Sequence, residues 1–238
     1  MDARNVILER IRSALGENPG ASTPSCEADW ASIERHYDHV GRLAEEQKLE
    51  LFEDRLRDYD ADVSGVSSRR IPSAIAAVLR ERGIAKMLVP SGFPSEWLPT
   101  DATLTEDRGF TAHQLDTFDG VLTTATLAIA ETGTLVLQNV PGQGRRAATL
   151  VPDFHLCVVR ARDVVQNVPE AFARLAASAT LPTTFVSGPS ATADIEMTRI
   201  KGVHGPRFLH VLIVTEDAPG ISSSPNDSTA AGNEEQWQ

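Results

Sequence analysis

The chain has 238 residues, 41% of them hydrophobic, and a formal net charge of −11 from 22 basic and 33 acidic side chains. That length supports one sizeable core or two small ones. The acidic balance excludes a general nucleic-acid binder, whose affinity rests on clustered Lys and Arg. No apolar run approaches the roughly 18 residues of a membrane span, and the opening Met1-Asp2-Ala3-Arg4-Asn5 lacks the apolar stretch of a signal peptide, so a cytoplasmic protein is expected.

The first 62 residues read as a helical segment. Ile7, Ile11 and Leu15 recur at helical spacing, with Asp2 as a cap and Gly16 as a stop. Residues 16–27, rich in Gly, Pro, Ser and Thr, read as a linker that includes Cys26. Between Asp29 and Tyr59 two apolar stripes follow, Trp30, Ile33, Tyr37 and Val40, then Leu49, Phe52, Leu56 and Tyr59, with Gly41 as a break. The charged remainder is a solvated face.

From Val63 to Val214 the texture is that of an α/β domain. A helix over 72–82 buries Ile75, Val78 and Leu79 and stops at Gly83. A strand over 84–89 ends on Pro90-Ser91-Gly92. A short strand near 102–105 and a helical turn near 111–115 precede a β-ribbon over 121–138. Strand 154–159, a helix over 164–177 interrupted or restarted by Pro169, strand 183–187 and a final strand 208–214 complete the series. Alternating strands and helices give a mainly parallel sheet. Ligands in such sheets sit at the carboxyl ends of the strands, so the loops at 90–92, 131–134, 142–146 and 187–190 are expected to rim one crevice. Residues 215–238, poor in apolar side chains, are expected to be disordered.

The stretch Asp119 to Arg146 carries the densest chemistry. Leu127, Ile129 and Leu135-Val136-Leu137 flank Thr132-Gly133, which reads as a hairpin. Glu131 at its tip is either a nucleophile or general base, or a turn cap accepting from the amides of Gly133 or Thr134. Thr132, Gly133 and Thr134 offer hydroxyls and amides to a ligand. Gly142-Gln143-Gly144 lacks the third glycine of a dinucleotide fingerprint, but it leads into the cations Arg145 and Arg146.

A second block, Ser187 to Asp194, follows a strand. Gly188 allows close backbone approach, and a helix starting near Ala191 aims free amides at an anion. Ser190 or Thr192 serves equally as a plain cap, and Asp194 is either a first-turn carboxylate or a ligand contact. His204, between glycines, is either an acid/base or anion donor, or a loop tie to a backbone carbonyl. Arg207 adds charge nearby, and His210, inside the last strand, is structural. Cys157, in a strand, reads as a small buried hydrophobe. The two cysteines cannot supply the four thiolates of an iron–sulfur cluster, and no Cys-x-x-Cys or metal-binding His pair is present. Any metal centre of an electron-transfer system therefore belongs to a partner.

Two blocks together, Ala130-Glu131-Thr132-Gly133-Thr134 with Leu135-Val136-Leu137, and Ser187-Gly188-Pro189-Ser190 through Asp194-Ile195-Glu196 to Gly202-Val203-His204-Gly205-Pro206, resemble the LutC/YkgG family of single-domain LUD (lactate utilization) proteins. The resemblance implies a three-layer αβα fold of the NagB/RpiA/CoA-transferase-like type behind an N-terminal helical segment. It implies one component of a system that oxidises L-lactate to pyruvate with LutA- and LutB-like iron–sulfur partners. It names no cofactor for this chain, and Glu131 as nucleophile is an analogy of fold. The expected function is a subunit that binds a small anionic ligand or cofactor through Arg145, Arg146, Arg207 and the amides at Gly188 and Ser190. The alternative is a free-standing CoA-transferase-, isomerase- or formyltetrahydrofolate-cyclo-ligase-like enzyme using Glu131.

Overall fold

A computed structural model describes residues 3–14, 26–34, 36–193, 199–202 and 204–216. The chain divides into two compact units, residues 1–38 and 39–238. The first holds helices α1 (Ala3–Ala14) and α2 (Cys26–Ser32), whose apolar Ile7, Ile11 and Trp30 stay exposed. Cys26, expected in a linker, thus opens a helix. Most of that linker, residues 15–25, lies outside the described residues, as does the expected disordered tail from 217 onward.

In chain order the second unit begins with α3 (Glu45–Asp58), β1 (Asp62–Ser67), α4 (Ile71–Glu81), β2 (Lys86–Val89), β3 (Thr103–Glu106), α5 (Ala112–Leu115), β4 (Gly120–Thr124), β5 (Leu127–Ile129) and β6 (Thr134–Gln138). It continues with β7 (Phe154–Arg160), β8 (Val164–Val165), α6 (Val168–Leu175), β9 (Thr183–Ser187), β10 (Ala191–Ala193), β11 (Arg199–Lys201) and β12 (Phe208–Thr215). Six strands form the main sheet in the order β1-β12-β7-β4-β2-β3, and every neighbouring pair is parallel. The mainly parallel sheet expected from the alternation is therefore present.

Helix α4 covers one face. Ile71, Ile75, Val78 and Leu79 fall on one stripe and are all buried, packing on Leu156, Val158 and Leu212 of the sheet. Pro72 suits its first turn. Gly83, at φ +66°, follows its end, where a residue without Cβ takes the left-handed conformation freely.

The other face meets α3 and a second sheet, four strands in the order β8-β5-β6-β9, which the alternation did not show. Phe52 and Leu56 of α3, Leu135 and Leu137 of β6, and Cys157, Val159 and Val211 of the main sheet share this core. Cys157 is fully buried, and burial pushes its thiol pKa up to about 12. The expected ribbon over 121–138 is divided between the two sheets: Gly120–Thr124 pairs with β2 and β7, and only β5 and β6 form the hairpin, with Leu127 opposite Val136 and Ile129 opposite Thr134. The far face of the second sheet rests on α6 through Ala171 and Leu175.

Two helix expectations are corrected. Residues 164–165 are strand, not helix, because Asn167 accepts a hydrogen bond from the Glu170 amide and caps α6 two residues later. Pro169 then occupies the first turn. The break expected at Gly41 falls within a non-helical run over 36–44. Residues 191–193 are strand, not the start of a helix, and pair antiparallel with 199–201, Thr192 opposite Ile200. Strand β1 went unrecognised because it lies at a sheet edge and buries only Val66, leaving no apolar alternation to read.

Candidate functional site

A cavity of about 290 Å³ opens between the main sheet, the β9–β10 bend and the loop before β12. Its floor includes His155 and Leu209, the second residues of the parallel strands β7 and β12. It therefore lies at the amino ends of those strands, on the face turned to the second sheet, and not in the carboxyl-end crevice expected above. The carboxyl-end loops pack on each other instead. The Gly142 amide donates to the Ser91 carbonyl at 2.8 Å, and the Gly142 carbonyl accepts from the Thr124 amide at 2.8 Å.

Four expected residues border the cavity: Arg146, Gly188, Ser190 and His204. Ser190 ties the rim together. Its amide donates to the Pro206 carbonyl at 2.8 Å, its carbonyl accepts from Gly202 at 2.9 Å, and its hydroxyl accepts from the His204 amide at 3.1 Å. His204 itself is exposed. Gly188, at φ +81°, sits against Tyr59 at the end of α3: an added Cβ would lie 2.5 Å from the Tyr59 Cβ.

The expected arginines separate by their partners. Arg145 grips Asp107 with two hydrogen bonds, 2.8 and 3.2 Å, and the Phe110 carbonyl with a third. Burial alone would raise the Asp107 carboxyl, but Arg145 and the amides of Gly109 and Phe110 hold it below the usual carboxylate range. Arg207 forks onto Asp153 at 2.7 and 2.6 Å, which likewise lowers the Asp153 pKa. Arg146 is different. Its guanidinium bonds Thr149, at 3.2 Å to Oγ1 and 3.5 Å to the carbonyl, and among the described residues no carboxylate pairs with it. It is exposed and lines the cavity.

His155, absent from the expected residues, is the other polar group of the site. It is 2% exposed, and its Nε2 lies 2.7 Å from the Thr123 hydroxyl. Burial, with the Arg146 charge nearby, pushes its pKa down to about 4, so the ring is neutral near pH 7 and serves as a hydrogen-bonding wall. A histidine in the otherwise apolar run Phe154–Val159 was the signal for it. Thr149 completes the group, 5% exposed and returning a hydrogen bond from its hydroxyl to the Arg146 carbonyl.

The Glu-Thr-Gly turn lies beside this site without lining it. Thr134 and Ser187 face each other across β6 and β9, with hydroxyls 2.7 Å apart, and Thr132 bonds the same Thr134 hydroxyl at 2.7 Å. The two blocks that carry the family resemblance are thus neighbours. Gly133, at φ +56°, packs on α3, where a Cβ would meet the Arg55 backbone at 2.9 Å. Glu131 is exposed and accepts from Gln166 Nε2 at 3.0 Å. The Oε1 of Gln166 in turn accepts from the Arg42 and Leu43 amides. Glu131 belongs to a tether between the hairpin and the segment before α3. Asp194 lies outside the described residues.

Arg146 and Thr149 also line a second, smaller cavity of about 150 Å³, with Gly144, Gln138, Asn139 and Thr184 among its walls. Among the described residues, no group of three or more His, Cys, Asp or Glu side chains is placed to hold a metal ion. No described helix is long and apolar enough to cross a membrane.

Known proteins share this fold and sequence. The family model described as the LUD domain matches residues 26–214. Lactate utilization protein C from Deinococcus radiodurans is 45% identical over 217 residues, 90% of this chain and 96% of its own length. The protein of the same name from an Exiguobacterium species is 28% identical over 88% of this chain and 95% of its own. A crystal structure of a DUF162 family protein from Deinococcus radiodurans superposes with a TM-score of 0.64 at 38% identity, covering 73% of this chain and 99% of that one. With a family model spanning most of its length and a relative this similar from end to end, the chain belongs to the LUD-domain family, alongside the lactate utilization protein C group.

Proposed function

We propose that this protein is a component of an L-lactate utilization system, and that its cavity at Arg146 binds a small anionic ligand or cofactor. The system oxidises L-lactate to pyruvate, and the electrons pass to iron–sulfur partners of the LutA and LutB kind. The similarity to lactate utilization protein C over nine-tenths of the chain supports the pathway. For the site, the observation that carries the reading is Arg146, a guanidinium in the cavity wall with no carboxylate partner among the described residues. Its neighbours Arg145 and Arg207 are both neutralised by fixed aspartates. An anion entering the cavity meets Arg146, the Thr149 hydroxyl and the neutral His155 ring, with Gly188, Ser190 and His204 on the rim. A charged donor in a partly enclosed site gives stronger hydrogen bonds than a neutral one. In this arrangement Arg145 braces the loop that presents Arg146, and Gly133 and Thr134 brace the strand that presents Ser187. The free-standing enzyme with Glu131 as nucleophile draws no support from the geometry, because Glu131 faces Gln166 outside the cavity.

The test is reconstitution. Lactate-dependent electron transfer should require this chain together with its iron–sulfur partners, and Arg146→Gln should lower it while the complex still assembles. Full lactate oxidation by the chain alone would refute the reading, as would an unaffected Arg146→Gln protein.

A further inference from the structure

We propose that the ligand of this site carries its negative charge in the interior of the molecule, as a phosphodiester does, rather than at one end. The inference rests on the anion-site reading above and names the class of ligand that fits it.

Two cavities share the Arg146–Thr149 pair. The larger, about 290 Å³, extends from it towards His155, Ser190 and His204. The smaller, about 150 Å³, extends from it past Gly144 to Gln138, Asn139 and Thr184. Arg146 and Thr149 alone are common to both linings. A ligand that fills both lobes therefore passes the guanidinium midway along its length. A three-carbon acid, with its carboxylate at one end, reaches one lobe and leaves the other to water.

Charge narrows the class further. Among the described residues lining either lobe, Arg146 is the single permanently charged side chain. One guanidinium matches one negative charge. A phosphodiester carries one, whereas a phosphomonoester carries about 1.5 to 2 at pH 7 and leaves the excess without a partner. The lobes themselves ask for uncharged ends that hydrogen-bond. One is lined by the neutral His155 ring and the Ser190 hydroxyl, the other by Asn139 and Thr184. A nucleic-acid strand, also a phosphodiester, is disfavoured by the net charge of −11 and the lone cation. The class is a free small molecule with a phosphodiester between two uncharged polar groups.

The probes are glycerophosphoglycerol, glycerol 3-phosphate, L-lactate and phosphatidylglycerol vesicles, titrated calorimetrically into the full chain. Glycerophosphoglycerol should bind about tenfold or more tighter than glycerol 3-phosphate or lactate, and vesicles should not compete with it. Thr184→Phe, which fills the smaller lobe from β9, should abolish that margin and leave glycerol 3-phosphate binding unchanged. Asn139→Phe, on the exposed rim of the same lobe, repeats the test if Thr184→Phe does not fold. Equal affinity for diester and monoester overturns the proposal. So does a diester margin that survives both lobe variants, or binding to vesicles without binding to the soluble diester. If Arg146→Gln weakens every probe but no diester preference exists, this inference alone fails. If Arg146→Gln changes none of them, the anion site fails with it.

Discussion

The three arginines of the expected anion site have three different situations, and their partners decide which is available. Asp107, 38 positions from Arg145 in sequence, fills one fork; Asp153, 54 positions from Arg207, fills another; Arg146 bonds Thr149 and, among the described residues, no carboxylate. None of this was legible in the sequence, where Gly144-Arg145-Arg146 reads as a pair of equal cations. Pairing across such separations follows from the packing of loops, not from local pattern. At this scale Glu131→Gln should leave ligand affinity unchanged, since the side chain only receives the Gln166 amide at the surface. A titration showing lost affinity in that variant would return Glu131 to the site.

His155 makes a second residue-scale prediction, in pH. Its folded pKa of about 4 lies below the ordinary value of 6.5, so the unfolded chain binds the proton first. Stability is therefore complete above about pH 6.5 and falls as the pH drops towards 4, by up to about 3 kcal/mol for the full shift. Denaturant melts between pH 7 and 4 should show that decline, and His155→Gln should flatten it. Asp107 adds to the decline at lower pH, because its lowered pKa stabilises the fold above the carboxylate range and that stabilisation is lost as the group protonates.

At the scale of elements, the two motif blocks are held by the end of α3. Gly133 rests on Arg55 and Gly188 on Tyr59, both at positive φ. Gly133→Ala and Gly188→Ala should each destabilise the chain by about 2 kcal/mol or more, combining left-handed strain with a steric clash. Gly188→Ala should also weaken ligand binding, since it displaces the bend that borders the cavity. Chemical denaturation checks the first claim and calorimetry the second. Wild-type midpoints for both variants would contradict this packing. The helices with strong apolar stripes, α3 and α4, were legible in the sequence because half of each faces a core. The 164–177 stretch was misread because Val164-Val165 is apolar enough for either state. Asn167 decides it, and a cap is weak evidence until the following amide is seen to point at it. The helix expected at Ala191 failed for a related reason: a serine followed by small residues suits a cap and a strand alike.

For the molecule as a whole, the parallel sheet was readable because buried parallel strands leave continuous apolar runs such as Leu156–Val159 and Val211–Val214. The second sheet was not. Its strands are short, and although β5 and β6 pair as the expected hairpin, β8 and β9 join them across long separations and in mixed direction. That second sheet moves the candidate site. By covering one face of the main sheet it encloses space at the amino ends of β7 and β12, where the general rule for open α/β sheets does not look. The family resemblance named two blocks without their geometry. One of them, Ser187–Ser190, lines the cavity; the other, Glu131–Thr134, supports it from behind.

On the proposed reading, Arg146 receives the anion on which this protein's part in lactate utilization depends. Growth on L-lactate as sole carbon source tests it most directly, in cells whose native chain is replaced by Arg146→Gln at matched protein level, with growth on glucose as the control. The account predicts that lactate growth fails or slows severely while glucose growth is unchanged. Wild-type growth on lactate, with the variant folded and present, would contradict it.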